Sequence, residues 1–130
     1  VGDSRIYEIG TDVRQITADQ TLVAREIAAG RLTPEQAETD SRRSVLLQCI
    51  GASPVVEPDF IAGDILPRAT YMICSDGFRH KISNEEMMSK IGPAVCSTET
   101  EMENGCKFLT ELVKYRKETD NITVVLIKTE

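Results

Sequence analysis

The chain has 130 residues, 41% of them hydrophobic, and a formal charge of −6, which suits one compact domain with its own core. The acidic balance argues against nucleic acid as the main partner, because phosphate backbones recruit a basic face. No apolar run is long enough to cross a bilayer and no secretory signal is legible, so no membrane partner is expected.

The four cysteines, Cys49, Cys74, Cys96 and Cys106, form no CxxC pair and sit in apolar-looking contexts. They read as reduced core thiols of a cytoplasmic protein rather than a zinc site or a disulfide frame. The sequence opens at Val1 without an initiator methionine, already inside a turn. That start reads as a processed product or a piece of something longer. No internal repeat, low-complexity tract or linker is visible.

In chain order, Arg5 to Ile9 alternates as a strand does, "GTD" at 10–12 signals a turn, and Val13 to Thr17 reads as a second strand, which together predict a β-hairpin. Asp19 is placed to cap a helix through Leu22, Val23 and Ile27 that Gly30 ends. Thr33, Pro34 and Gln36 spell a capping box for a short, polar, exposed helix. Arg42 to Ile50 carries a segment expected to be buried, Val45, Leu46, Leu47 and Ile50, whose period fits strand or helix. Val55 to Ile61 reads as a strand bent or edged by Pro58.

Thr70 to Ser75 reads as a buried strand. Ser83 and Glu86 make another capping box, opening a helix through Met87, Met88 and Ile91. Glu99 to Lys117 is the longest helix expected, with Met102, Cys106, Leu109 and Val113 on one face and basic residues at its C-terminal end. "TDN" at 119–121 breaks it, and Ile122 to Ile127 forms a last apolar strand. Strands and helices are segregated more than they alternate, which predicts an α+β fold with an antiparallel sheet.

Two carboxylates stand out by position: Asp76 ends one apolar strand and Asp120 opens another. A carboxylate on a rigid strand end suits hard divalent cations, which take oxygen ligands and keep several waters. Gly77 lets the backbone turn sharply beside the first of them. On spacing alone, Asp-Gly and Asp-Asn are equally ordinary turn dipeptides, so both readings stand at this point. His80, the only histidine, reads as a solvated loop residue, and so does Arg79, with phosphate contact as its alternative. The run Glu99, Glu101, Glu103 reads as a solvated helix start.

"VGDSRIY", "QITADQT", "RRSVLLQCIG", "CSDGF" and "DNITVVLI" occur in this order between Val1 and Ile127. Together they resemble the metal-dependent protein serine/threonine phosphatases of type 2C (PPM) in their bacterial form. The resemblance implies an antiparallel β-sandwich flanked by helices. It implies hydrolysis of phosphoserine and phosphothreonine in protein substrates by a metal-activated water. It also implies a site of two Mn²⁺ or Mg²⁺ ions, with Asp76 and Asp120 as ligands. It offers Asp19 as a ligand to a third, weaker ion, against its reading as a helix cap. Gln20 stands where the family usually has histidine, and glutamine neither ionises nor relays a proton. The segment from Leu22 to Ser41 resembles the family's mobile flap, and Asp3 and Ser4 match residues read as structural.

The family's "DGHGG"-type loop, its arginine-bearing strand and an acidic pair have no counterpart in residues 1–130. The whole chain is therefore expected to be the C-terminal part of one catalytic domain, its sandwich incomplete. Alone it is expected to self-associate or be marginally stable, with weak metal binding and little activity, because the strand at Val1 to Ile9 is expected to lack a neighbour. A non-catalytic, phosphatase-like interaction domain is the alternative.

Overall fold

A computed structural model describes residues 1–130. Its elements run β1 (Arg5–Ile9), β2 (Val13–Gln15), α1 (Leu22–Ala28), α2 (Pro34–Thr39), β3 (Thr70–Cys74), α3 (Asp76–Arg79), α4 (Asn84–Ile91), α5 (Glu99–Tyr115) and β4 (Val124–Lys128). They fall into two compact units, Val1–Ser4 with Ala18–Ile61, and Arg5–Thr17 with Ala62–Glu130. No helix is long and apolar enough to cross a membrane.

The larger unit, Arg5–Thr17 with Ala62–Glu130, is one antiparallel sheet in the order β2-β1-β3-β4 with helices against one face. The hairpin pairs Tyr7 with Gln15 and Ile9 with Val13. Strand β2 stops two residues before the expected Thr17. The Ile16 N–H still reaches Ile6 O at 2.8 Å, but the Ile6 N–H goes to the Thr17 hydroxyl at 3.0 Å, so a side chain replaces the next rung. Strand β1 is interior, between β2 and β3. The expectation that it lacks a neighbour is thus corrected, and the open edges belong to β2 and β4.

Pleating sends Tyr7, Ile9, Met72 and Cys74 to the helical side, where they meet Phe78, Met87, Ile91, Cys96 and Leu109 in the core. Met72, Ile9, Phe78, Ile91 and Leu109 are fully buried, each contributing roughly 1.5–3 kcal/mol of burial. Helix α4 opens on the expected Ser83–Glu86 capping box, and α5 opens on one made by Thr98 and Glu101. Helix α5 ends at Tyr115, capped by Arg116, because Lys117 adopts a left-handed φ of 64°. Burial pushes the Cys96 and Cys106 thiols up, as expected for unreactive core sulfur. Cys49 departs from the core-thiol expectation and is exposed.

The smaller unit holds α1 and α2. Thr21, not Asp19, caps α1, accepting from the Ala24 N–H, and Gly30 (φ 70°) follows the Ala29 cap. Asp19 lies two residues too early, since the helix begins at Leu22. Helix α2 carries the expected Thr33–Gln36 box, with only Ala37 buried.

Arg42 to Ile50 is neither buried nor a regular element: Val45, Leu46, Leu47 and Ile50 are all exposed. One bridge, Thr21 to Leu46, joins it to the chain before α1. Thr21 passes directly into the helix, so the pairing cannot extend. Val55 to Ile61 is not a strand either; it is irregular and Phe60 is fully outside. Pro58 removes a ladder donor from the middle of so short a run, and Pro54 precedes it directly.

Candidate metal centre

Antiparallel pairing places the residues after β3 beside the residues before β4, because Cys74 opposes Val124. Strand β3 ends one residue earlier than expected, and Ser75 takes the cap position of the single-turn helix α3, of which Asp76 is the first residue. Ser75 then stitches the two segments together. Its N–H donates to Thr123 O at 3.0 Å, its hydroxyl donates to Asn121 O at 2.9 Å and accepts from the Thr123 N–H at 3.1 Å.

The approach is closest at Gly77. A Cβ added there would lie 2.5 Å from Asn121 O and 3.2 Å from Asp120 Cβ. Only glycine allows the two loops to meet so closely. Asp76 and Asp120, 44 positions apart in sequence, are thereby neighbours across this junction. Each engages Oδ1 with the next backbone N–H, Gly77 at 2.8 Å and Asn121 at 2.7 Å. A carboxylate offers about four lone-pair sites, so one N–H leaves capacity for a cation. Asp76 is half-buried and Asp120 exposed.

The fit to a hard divalent ion is partial. Magnesium-like ions are bound through one or two carboxylates and keep several waters, and this junction brings two carboxylate-bearing segments into contact at Gly77. No group of three His, Cys, Asp or Glu side chains gathers anywhere in the chain to complete a closed site.

Asp19 belongs to the smaller unit. Beside it, Gln20 is the centre of a polar clamp. Its Oε1 accepts from the Gly2 N–H at 3.1 Å and from Gln48 Nε2 at 2.9 Å, and its Nε2 donates to Asp59 at 2.9 Å. Gln48 in turn holds the backbone of Glu57 through both ends of its amide. Glutamine at this position is thus a structural tie. His80 caps the C-terminal end of α3 and is exposed, as expected, while Arg79 is partly buried rather than on the surface.

Three residues at the junction escaped the sequence reading. Ser75 precedes Asp76 directly, and Glu118 and Lys81 hold the loop that carries Asp120. Glu118 Oε1 accepts from the N–H groups of Thr119 at 2.9 Å and Asp120 at 3.1 Å. Burial pushes the Glu118 carboxyl up, but the two N–H groups together with the Lys81 and His80 charges nearby outweigh it and the net shift is downward. The one sequence signal was an acid two residues before Asp120.

The chain matches no family model. Among curated proteins, it is 33% identical to a protein phosphatase 2C-type protein of Streptococcus pyogenes, over 100% of this chain and 51% of that one. It is 33% identical to protein phosphatase PhpP of Streptococcus pneumoniae, over 98% of this chain and 50% of that one. Among solved structures, the Streptococcus agalactiae serine/threonine phosphatase superposes with a TM-score of 0.87 at 30% identity, over 100% of this chain and 52% of that one. The Mycobacterium tuberculosis phosphatase PstP/Ppp superposes at 0.85 and 30%, over 100% and 53%. The catalytic domain of PstP in complex with two manganese ions superposes at 0.78 and 28%, over 100% and 52%. The chain is thus related along its whole length to the bacterial type 2C protein serine/threonine phosphatases, spans about half the length of the relatives it matches, and is consistent with a C-terminal portion of their catalytic domain.

Proposed function

We propose that this chain supplies part of the active site of a metal-dependent phosphatase acting on phosphoserine and phosphothreonine in proteins, with Asp76 and Asp120 holding Mn²⁺ or Mg²⁺. The observation that carries the reading is the meeting of the two aspartates' loops at Gly77. Support for the metal comes from the manganese-bound relative of the same fold. Bound there, the ions would lower the pKa of a water and neutralise charge on the phosphoryl oxygens while that water displaces the seryl or threonyl oxygen from phosphorus. The chain's own residues would hold the ions: Asp76 from the first turn of α3, just past β3, and Asp120 from the loop Ser75 stitches to it.

Asp19 is our candidate ligand for a third ion, a role left open once Thr21 takes the cap of α1. Residues 22–41 are our candidate flap. Its two helices are short and largely exposed, and the arginines of its ion pairs, Arg31 to Glu26 and, just past the segment, Arg42 to Asp40, are exposed. The absence of any disulfide among four free cysteines supports a cytoplasmic setting. The proposal is tested by Mn²⁺ binding to the chain and to Asp76→Ala and Asp120→Ala variants. Loss of binding in both is expected, and binding that survives both changes would overturn it.

A further inference from the structure

Helix α5 ends in an arrangement that plain helix termination does not require. Lys117 turns left-handed, and the chain then enters the exposed loop that carries Asp120. Within that loop the Glu118 side chain is only 8% exposed. A buried carboxylate is costly unless it is fully engaged, and this one is turned onto the loop backbone, taking the N–H groups of Thr119 and Asp120. Lys81 Nζ sits 3.9 Å from Glu118 Oε2 and donates to the carbonyl oxygens of Arg116 at 3.1 Å and Lys117 at 2.5 Å. Arg116 answers by donating to Lys81 O at 2.5 Å and to both carboxylate oxygens of Glu86 at 2.8 and 2.6 Å.

The device spans the α3–α4 connection and the α5–β4 loop, and its last contact is the N–H of Asp120 itself. The Ser75 hydroxyl fixes the far side of the same loop at Asn121 and Thr123. Asp120 is therefore held from both sides, by a carboxylate before it and a hydroxyl after it.

We infer that Glu118 is a positioning residue for the metal centre: tied to Lys81, it sets the loop backbone so that the Asp120 carboxylate faces the ion shared with Asp76. The inference rests on the metal reading of Asp120 proposed above. Glu118 touches neither ion nor substrate; it acts through the backbone of Asp120. Partners that orient a ligand in this way commonly change metal affinity about 10–100-fold when removed.

The test compares Glu118→Ala, Glu118→Gln, Lys81→Met and Asp120→Ala in the full chain, by Mn²⁺ titration and by amide hydrogen exchange. Glu118→Ala is expected to weaken Mn²⁺ binding about tenfold and to speed exchange at Thr119 and Asp120, leaving Ile91 and Leu109 unchanged. Glu118→Gln keeps an acceptor oxygen and should stay within about threefold of the wild type, with Lys81→Met between the two. Wild-type Mn²⁺ affinity in Glu118→Ala overturns the inference. So does an equal loss in Glu118→Ala and Glu118→Gln accompanied by faster exchange throughout α4 and α5, because that pattern belongs to a merely structural carboxylate. The Asp120→Ala arm separates the two levels. If it binds Mn²⁺ like the wild type, the metal centre itself is wrong; if it loses Mn²⁺ while Glu118→Ala does not, only the positioning role is.

Discussion

The two faces of the four-stranded sheet are both apolar, and only one of them is covered. On the helical face Ile9 and Met72 are wholly buried. On the other face Ile6, Ile73 and Val125 lie in one row across β1, β3 and β4, with Ile127 beside Tyr71 in the next. Ile73 is 39% exposed and Val125 51%. Toward β2 the same face becomes polar: the Tyr71 hydroxyl donates to Glu8 at 2.7 Å, and Arg14 pairs with Glu8 at 2.7 Å. Across β3 and β4 the sheet has the pattern of an inner layer. A surface sheet alternates apolar and polar residues, whereas strands apolar on both sides belong between two layers. That agrees with a chain that spans about half the length of its relatives.

The contrast can be broken by substituting neighbours on β3. Met72→Ala, on the covered face, should cost about 2–5 kcal/mol in urea unfolding because it opens a cavity in the core. Ile73→Ala, on the open face, should cost under about 1 kcal/mol in chain dilute enough to be monomeric, since little water-excluded contact is lost. Equal costs in the monomer would mean that the open face is covered within the chain itself. Gly77→Ala tests the junction rather than the faces. Its Cβ would press on Asn121 O, so the Asp120 loop must shift, and Mn²⁺ affinity should fall about tenfold or more; unchanged affinity would uncouple that close approach from metal binding.

A subtler sharpening uses charge on the open face. We predict that the chain self-associates through this face and its β4 edge. Val125→Lys should move it toward monomer in sedimentation, while leaving the melting temperature within a few degrees, about what 1 kcal/mol shifts a domain of this size. A wild-type chain that sediments as a monomer at all concentrations would contradict the prediction.

The smallest effect is one of pH on the covered side. Glu86 is held from its ordinary 4.5 down to about 2, first by the Arg116 side chain and then by the Ser83 N–H. Its depressed pKa contributes stability that is present above about pH 4.5 and lost as pH falls toward 2. Melting temperature should drop over that window, and less steeply in Glu86→Gln; identical slopes would show the pair to be inert.

What could be read from the sequence was what is local. The capping boxes at Thr33–Gln36 and Ser83–Glu86 need only residues three apart. The strands at 5–9 and 70–74 announce themselves by composition and alternation. Asp76 and Asp120 stand out in the sequence as acids flanking apolar runs, and the motif resemblance ties them together; in the structure Asp76 opens α3 and β4 begins only at Val124. What failed depended on surfaces elsewhere. Val45 to Ile50 reads as buried and Val55 to Ile61 as a strand because their residues are apolar, but both need a partner layer, and Val45, Leu46, Leu47, Ile50, Val55, Phe60 and Ile61 are all exposed. By residue type Asp19 fits a helix cap as well as an ion ligand, but the helix starts where Thr21 and the bridge to Leu46 place it. Glu118 and Lys81 were invisible because their pairing joins loops 37 positions apart in sequence.

The central claim is that Asp76 and Asp120 form one cation site serving phosphoester hydrolysis. Its most direct test is Mn²⁺-dependent turnover of a phosphoserine or phosphothreonine peptide by this chain mixed with the other half of a relative's catalytic domain. The account predicts little turnover from the chain alone, turnover on mixing that requires Mn²⁺, and its loss in Asp76→Ala and in Asp120→Ala. Full activity from the chain alone as a monomer, or activity on mixing that persists in either alanine variant, would contradict it.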